Sequence, residues 1–220
     1  MSVTLLDFAR GPAMQWALII FVFGMVWRLV GVWGLRHKAD HSQPRVTQGV
    51  WKRGLRAVFV RVLPYPEFAP KVQGQYWISY VFHLGFFIVL LFFVPHILFF
   101  EDILGFGWPG LPNNVIFFVG GITVAALMVA LIKRILNPVT RMMSNFDDYF
   151  AWFVTIAPVV TGLLVNANLI PNYELMLAIH ILSFQLLLIY LPFGKLMHGF
   201  WLMVSRWTTA VRFARRGGLS

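Results

Sequence analysis

Five stretches of this chain are each long and apolar enough to cross a bilayer, and that pattern leaves few folds open. Hydrocarbon offers no partner for a backbone N–H or C=O, so a spanning segment satisfies its own hydrogen bonds as a helix or closes into a barrel. The stretches run from about Ala13 to Trp33, Tyr76 to Phe100, Asn114 to Ile132, Tyr149 to Val165 and Tyr173 to Ser205. A helix needs roughly 20 such residues to span about 30 Å of hydrocarbon. The expected fold is an all-α integral membrane protein, one bundle of five transmembrane helices over residues 1–220 with no internal repeat. With 59% hydrophobic and 12% charged residues, the chain has too little polar surface for a soluble domain.

The formal charge of +10 could suggest nucleic acid, but its placement excludes that reading. Every Lys and Arg except Arg10 falls at or between stretches one and two, between three and four, or at the end of five. The opposite loops, EDILGFGWPGLPN and NANLIPN, carry none. By the positive-inside rule the N-terminus is expected outside and the C-terminus in the cytoplasm. Residues 34–75 then form a cytoplasmic loop and residues 206–220 a basic cytoplasmic tail. Within the loop, VWKRGLRAVFVRVL predicts an amphipathic helix with Trp51, Leu55, Val58 and Phe59 on one side and Lys52, Arg53 and Arg56 elsewhere. It suits anionic headgroups or a soluble partner subunit equally well. Pro64, Pro66 and Pro70 are expected to end that helix before stretch two. Arg28 stands near enough to the end of stretch one to snorkel. Asn145, Asp147 and Asp148 read as the N-cap of stretch four, and the Gly120-Gly121 pair as a point of close helix approach.

Cysteine is absent, so disulfides, cysteine-ligated clusters and covalently attached haem are excluded within these residues. Histidine is left as the main metal ligand. His37 and His41, four apart in RHKADH, read as a solvated loop. The other four lie inside the apolar stretches, where ionisable side chains are costly and mark function. His180 and His198 are 18 residues apart, which on one continuous helix is five turns, a shared face and about 27 Å. With the orientation above, His83 and His198 share the cytoplasmic half, and His96 and His180 the outer half. Each pair offers one imidazole from each of two helices, as bis-histidine ligation of a b-type haem requires. His83 and His96 differ by about 220° of rotation on a straight helix; a bend at Pro95 would re-aim His96.

The segment Leu191–His198, LPFGKLMH, resembles the last helix of the membrane cytochrome b, or gamma, subunit of respiratory nitrate reductases. Val81-Phe82-His83-Leu84-Gly85 resembles that family's first ligand motif, and the likeness covers most of the chain. The long loop and SNFDDYF look closer to the branch that serves heterodisulfide-reductase-like iron–sulfur proteins. The resemblance implies two b haems in a bacterial or archaeal inner membrane, His83 and His198 holding the inner iron and His180 the outer one. In the family the second ligand follows the first after ten residues. Phe93 stands there in this chain, so His96 substitutes, or the outer haem is absent or differently ligated.

The function so implied is an electron-transfer subunit of a quinol/quinone oxidoreductase, linking the quinone pool to a cytoplasmic iron–sulfur subunit. Asn113, Asn114, Asn166, Tyr173 and Glu174, near the outer site, could touch a quinone, and ordinary capping and interface roles account for them more readily. Lys195, Arg206 and Arg53 could pair with the propionates of the inner haem, and snorkelling explains them as well. The alternatives are a single-haem version, a tethering subunit, or a transporter using its histidines as a proton relay. The last lacks inverted repeats and acidic residues at the midplane.

Overall fold

The computed structural model describes residues 4–35, 43–60 and 62–218. His37 and His41 lie outside the described residues. Those described form helices and no strand, and five helices among them are long and apolar enough to cross a membrane. In chain order the helices are α1 (Leu5–Arg10), α2 (Pro12–Gly34), α3 (Val50–Val60), α4 (Ala69–Phe92), α5 (Val94–Leu104) and α6 (Asn113–Leu136). They continue with α7 (Pro138–Met143), α8 (Phe146–Ala167), α9 (Tyr173–Tyr190) and α10 (His198–Arg215).

Two of the five expected spans are broken, and each break has a proline in it. Stretch two is α4 followed by α5. Phe93 is extended (φ −79°, ψ 124°) and Pro95 occupies the first turn of α5, where its missing N–H costs nothing. The break frees carbonyls at the end of α4, and a membrane protein must satisfy them. Trp108 Nε1 donates to the Leu91 carbonyl at 2.6 Å and the Leu111 amide to the Phe92 carbonyl at 2.9 Å. The loop after α5 thus folds back as a cap on α4. Trp108→Phe is expected to leave the Leu91 carbonyl unpaired at a cost of about 1–3 kcal/mol, measurable as a lower midpoint of thermal unfolding in detergent.

Stretch five is also discontinuous, contrary to the single helix expected from Tyr173 to Ser205. α9 ends at Tyr190, Leu191–Gly194 is irregular, Lys195–Met197 is one 3₁₀ turn, and α10 begins at His198 itself. The five-turn argument placing His180 and His198 on one face therefore does not hold. Pro192 is fully buried and its carbonyl accepts from Arg28 Nε at 2.8 Å. Arg28 does not simply snorkel; it caps the break from α2. A Cβ on Gly24 would come within 2.6 Å of the Pro192 ring, so glycine lets α2 sit directly on it. Residues 206–215 are helical, part of α10, rather than a loose tail.

The bundle is an arc. α4 packs on α6, α6 on α8, α8 on α9, and α9 on α2, whereas α4 and α9 do not pack closely on each other. Small residues set the close approaches. A Cβ on Gly85 would meet Thr123 Oγ1 at 2.0 Å, and one on Gly120 would meet Leu163 at 2.8 Å. Gly121, expected to share that role, faces open space. Gln185, buried on α9, donates to the Ala9 carbonyl at 2.6 Å, pinning the α1–α2 junction. Pro70 lies in the first turn of α4 and starts that helix instead of stopping α3.

At the other end, Asn145 and Asp148 make the expected capping box. Asp148 does more than cap: it pairs with Lys195 at 2.5 Å and Arg134 at 3.1 Å, tying α6, α8 and the α9 break together. The Tyr190 hydroxyl donates to Asp147.

Candidate cofactor site

Three of the four histidines, His83, His96 and His198, lie at these breaks or close approaches, and His180 lies within α9. His83 lies on α4 two residues before Gly85, where α4 fits against α6. His198 is the first residue of α10, so the α9 break sets its position. Their ring centroids are 6.2 Å apart with the planes at 84°. His96 is in the first turn of α5, just past Pro95, and the kink turns it toward α9. The His96 and His180 centroids are 6.0 Å apart with the planes at 16°. The two pairs grouped by depth in the sequence are thus the two pairs brought together, and the bend at Pro95 is present.

Those separations can be compared with what coordination needs. A metal–nitrogen bond of about 2.0 Å, with roughly 1.1 Å from nitrogen to ring centre, puts the centroids of two opposed imidazoles about 6.2 Å apart. Both centroid separations match that spacing. Bundle sites of this kind draw ligands from facing helices, and here one histidine of each pair comes from α4 or α5 and the other from α9 or α10.

The tautomers fit as well. His83 Nδ1 lies 2.7 Å from the Ser79 carbonyl, His96 Nδ1 3.1 Å from Val89, and His198 Nδ1 2.8 Å from Lys195. A carbonyl can only accept, so each Nδ1 carries the proton. Thr161 Oγ1 donates to the Ala157 carbonyl at 2.7 Å and so offers its lone pair to His180 Nδ1 at 3.2 Å. No hydrogen bond to a described residue engages any of the four Nε2 atoms. Metal-bound histidines are oriented this way, with Nδ1–H tethered and the Nε2 lone pair presented. Among the described residues no group of three or more His, Cys, Asp or Glu could hold a metal. Each couple brings together two imidazoles.

Three supporting residues escaped the sequence reading. Ser79 could have been found one helical turn before His83. Thr161 and Gly162 could not, because they belong to α8. A Cβ at Gly162 would stand 3.0 Å from His180 Cε1, so the Cε1 side of the His180 ring comes against bare backbone. Of the polar residues expected at the outer site, Asn113 and Asn166 line a cavity of about 350 Å³ with Phe93, Val94, Pro95 and Leu111. Asn114, Tyr173 and Glu174 do not line it. Of the residues expected near propionates, Lys195 is engaged by Asp148 and Asn145, whereas Arg53 and Arg206 are in no ion pair among the described residues.

The class defined by these features is a chain whose described residues are helical, with five helices able to cross a membrane and two histidine pairs, one edge-on and one with near-parallel rings. A protein of Nitratidesulfovibrio vulgaris (strain Hildenborough) is 27% identical over 216 residues, covering 96% of this chain and 95% of that one. Its description, "Protein", names no activity. No family model matches the chain, and no solved structure matches it.

Proposed function

We propose that the chain is a dihaem b-type cytochrome, the membrane subunit of an oxidoreductase that connects the quinone pool with a cytoplasmic iron–sulfur protein. The observation that carries this reading is the pair of imidazole couples at 6.2 and 6.0 Å, each ring tethered at Nδ1 with its Nε2 in no hydrogen bond to a described residue. His83 and His198 would hold one iron, on the basic side of the membrane, and His96 and His180 the other. When bound, haem supplies reversible one-electron chemistry, which no side chain in a cysteine-free chain provides.

The rest is the work of the protein. The Ser79, Val89 and Lys195 carbonyls and the Thr161 hydroxyl fix each ring. The cavity beside Pro95 has the apolar walls and paired amides, Asn113 and Asn166, that would receive the head of a quinone. An N-terminus outside and a basic cytoplasmic face, following the positive-inside rule, would present α3 and α10 on the partner's side. The iron–sulfur partner so implied is nitrate-reductase-like or heterodisulfide-reductase-like.

The test is the visible spectrum of purified protein made with ample haem, with a pyridine haemochrome assay. Two protohaems per chain are expected. One per chain would remove the outer site, and absence of b-type absorbance would end the proposal.

A further inference from the structure

α3 is an amphipathic helix with one face on α10. A Cβ on its Gly54 would meet Val211 at 2.7 Å and Trp207 at 2.8 Å, and Ala57 and Val58 are buried beside it. Val58 thus belongs to the packed face rather than to the apolar stripe expected from the sequence. That stripe is Trp51, Leu55 and Phe59, spaced one turn apart, and it remains 56%, 47% and 69% exposed. At about 100° per residue, Lys52 and Arg56 form the next stripe round and Arg53 the far flank. Neither α3 nor α10 contains an acidic residue, and Lys52, Arg53 and Arg56 are in no ion pair among the described residues.

A second observation fixes where this helix sits. Just beyond its end, the Val62 carbonyl accepts from the Tyr80 hydroxyl. Tyr80 clusters with Tyr76 and Trp77 on α4, with centroids 6.1 and 6.3 Å away, and Trp77 is 63% exposed. Tyr76 and Trp77 stand where α4 passes from the polar APKVQGQ into its apolar run, and Tyr and Trp at such a boundary mark the headgroup level. The end of α3 is therefore tied to the interface, where a Trp-Leu-Phe stripe edged by cations meets acyl chains and phosphates together.

We propose that α3 is an interfacial helix that binds anionic phospholipid headgroups through Lys52, Arg53 and Arg56 while Trp51, Leu55 and Phe59 enter the acyl boundary. α10 is the strut that holds it there. The binding is independent of cofactor content and of the proposed electron transfer.

Because the chain has no cysteine, Leu55→Cys in the full-length protein gives a unique label site. An environment-sensitive fluorophore at that site is read in nanodiscs of phosphatidylcholine, with or without about 30% phosphatidylglycerol, both containing doxyl-acyl quencher. Strong quenching is expected in the anionic discs, with several-fold less in phosphatidylcholine alone or in 1 M salt, where charges are screened within about 3 Å. Combining Lys52→Gln, Arg53→Gln and Arg56→Gln should weaken insertion about fivefold for each charge removed. Should that variant misfold, the salt and lipid series still decides. A probe left unquenched in anionic discs overturns the proposal, including one shielded only by added soluble protein, which would make the stripe a partner's docking surface. So does quenching indifferent to lipid charge and salt.

Discussion

Replacing His198 by alanine is expected to lower haem content from two per chain to one, leaving the component held by His96 and His180 spectrally intact. His198 has little redundancy. It opens α10, its Nδ1 is tied to the Lys195 carbonyl at 2.8 Å, and the ring facing it at 6.2 Å is His83 alone. With one imidazole gone, the remaining ligand binds from one side of a slot shaped for two. His83→Ala should give the same loss, and the double variant should lose nothing more, because the two residues act as a unit. Haemochrome stoichiometry and the reduced-minus-oxidised spectrum read this directly. Retention of both haems in His198→Ala would show that the pairing is wrong, and loss of both would show that the two sites fold as one.

The sequence made the inner pair legible for a reason that was partly mistaken. Apolar length located the five spans because the bilayer imposes it on each helix separately. The residue pairing by depth followed from orientation, and it agrees with the couples that meet. A continuous helix from His180 to His198 was the wrong support for it. Pro192 and Gly194 stand in plain view between them, yet a mean apolar character over Tyr173–Ser205 outweighed them. The break became stable only through partners that sequence order hides: Arg28 on the Pro192 carbonyl, Gly24 beneath the Pro192 ring, and Lys195 on Asp148.

The Pro95 bend was easier to read, because proline within a span has few outcomes. What it required, a tryptophan from the following loop to occupy the Leu91 carbonyl, was not. Capping by Asn145 was legible because it is local. The tethering of α6 to α9 through Asp148 is tertiary and was not. The same division explains the outer site, where His96 and His180 could be nominated but Thr161 and Gly162 could not.

Gly162→Val is therefore the sharpest test of that outer site, and it is expected to remove the outer haem while sparing the inner one. Gly162 has no catalytic group; it supplies absence. A Cβ placed there stands 3.0 Å from His180 Cε1, 3.4 Å from Nδ1 and 3.7 Å from Nε2, so even alanine presses on the ring and the branches of valine must displace it. Displacement breaks the 3.2 Å contact with Thr161 that orients Nδ1 and rotates Nε2 away from His96. Overpacking of this kind costs about 1–3 kcal/mol in stability, which a fold held by five helices can absorb, so the variant should still purify as a monodisperse protein. Gly162→Ala should give an intermediate result, with both haems present at saturation and the outer one lost first on dilution or competition. His180→Ala provides the limit for complete loss. Gly162 lies against His180 and belongs to the other couple from His198, so Gly162→Val combined with His198→Ala should add, leaving no b-type absorbance. Two haems retained in Gly162→Val would mean that His180 does not hold its ligand against α8. The 6.0 Å separation from His96 would then be a packing contact and nothing more.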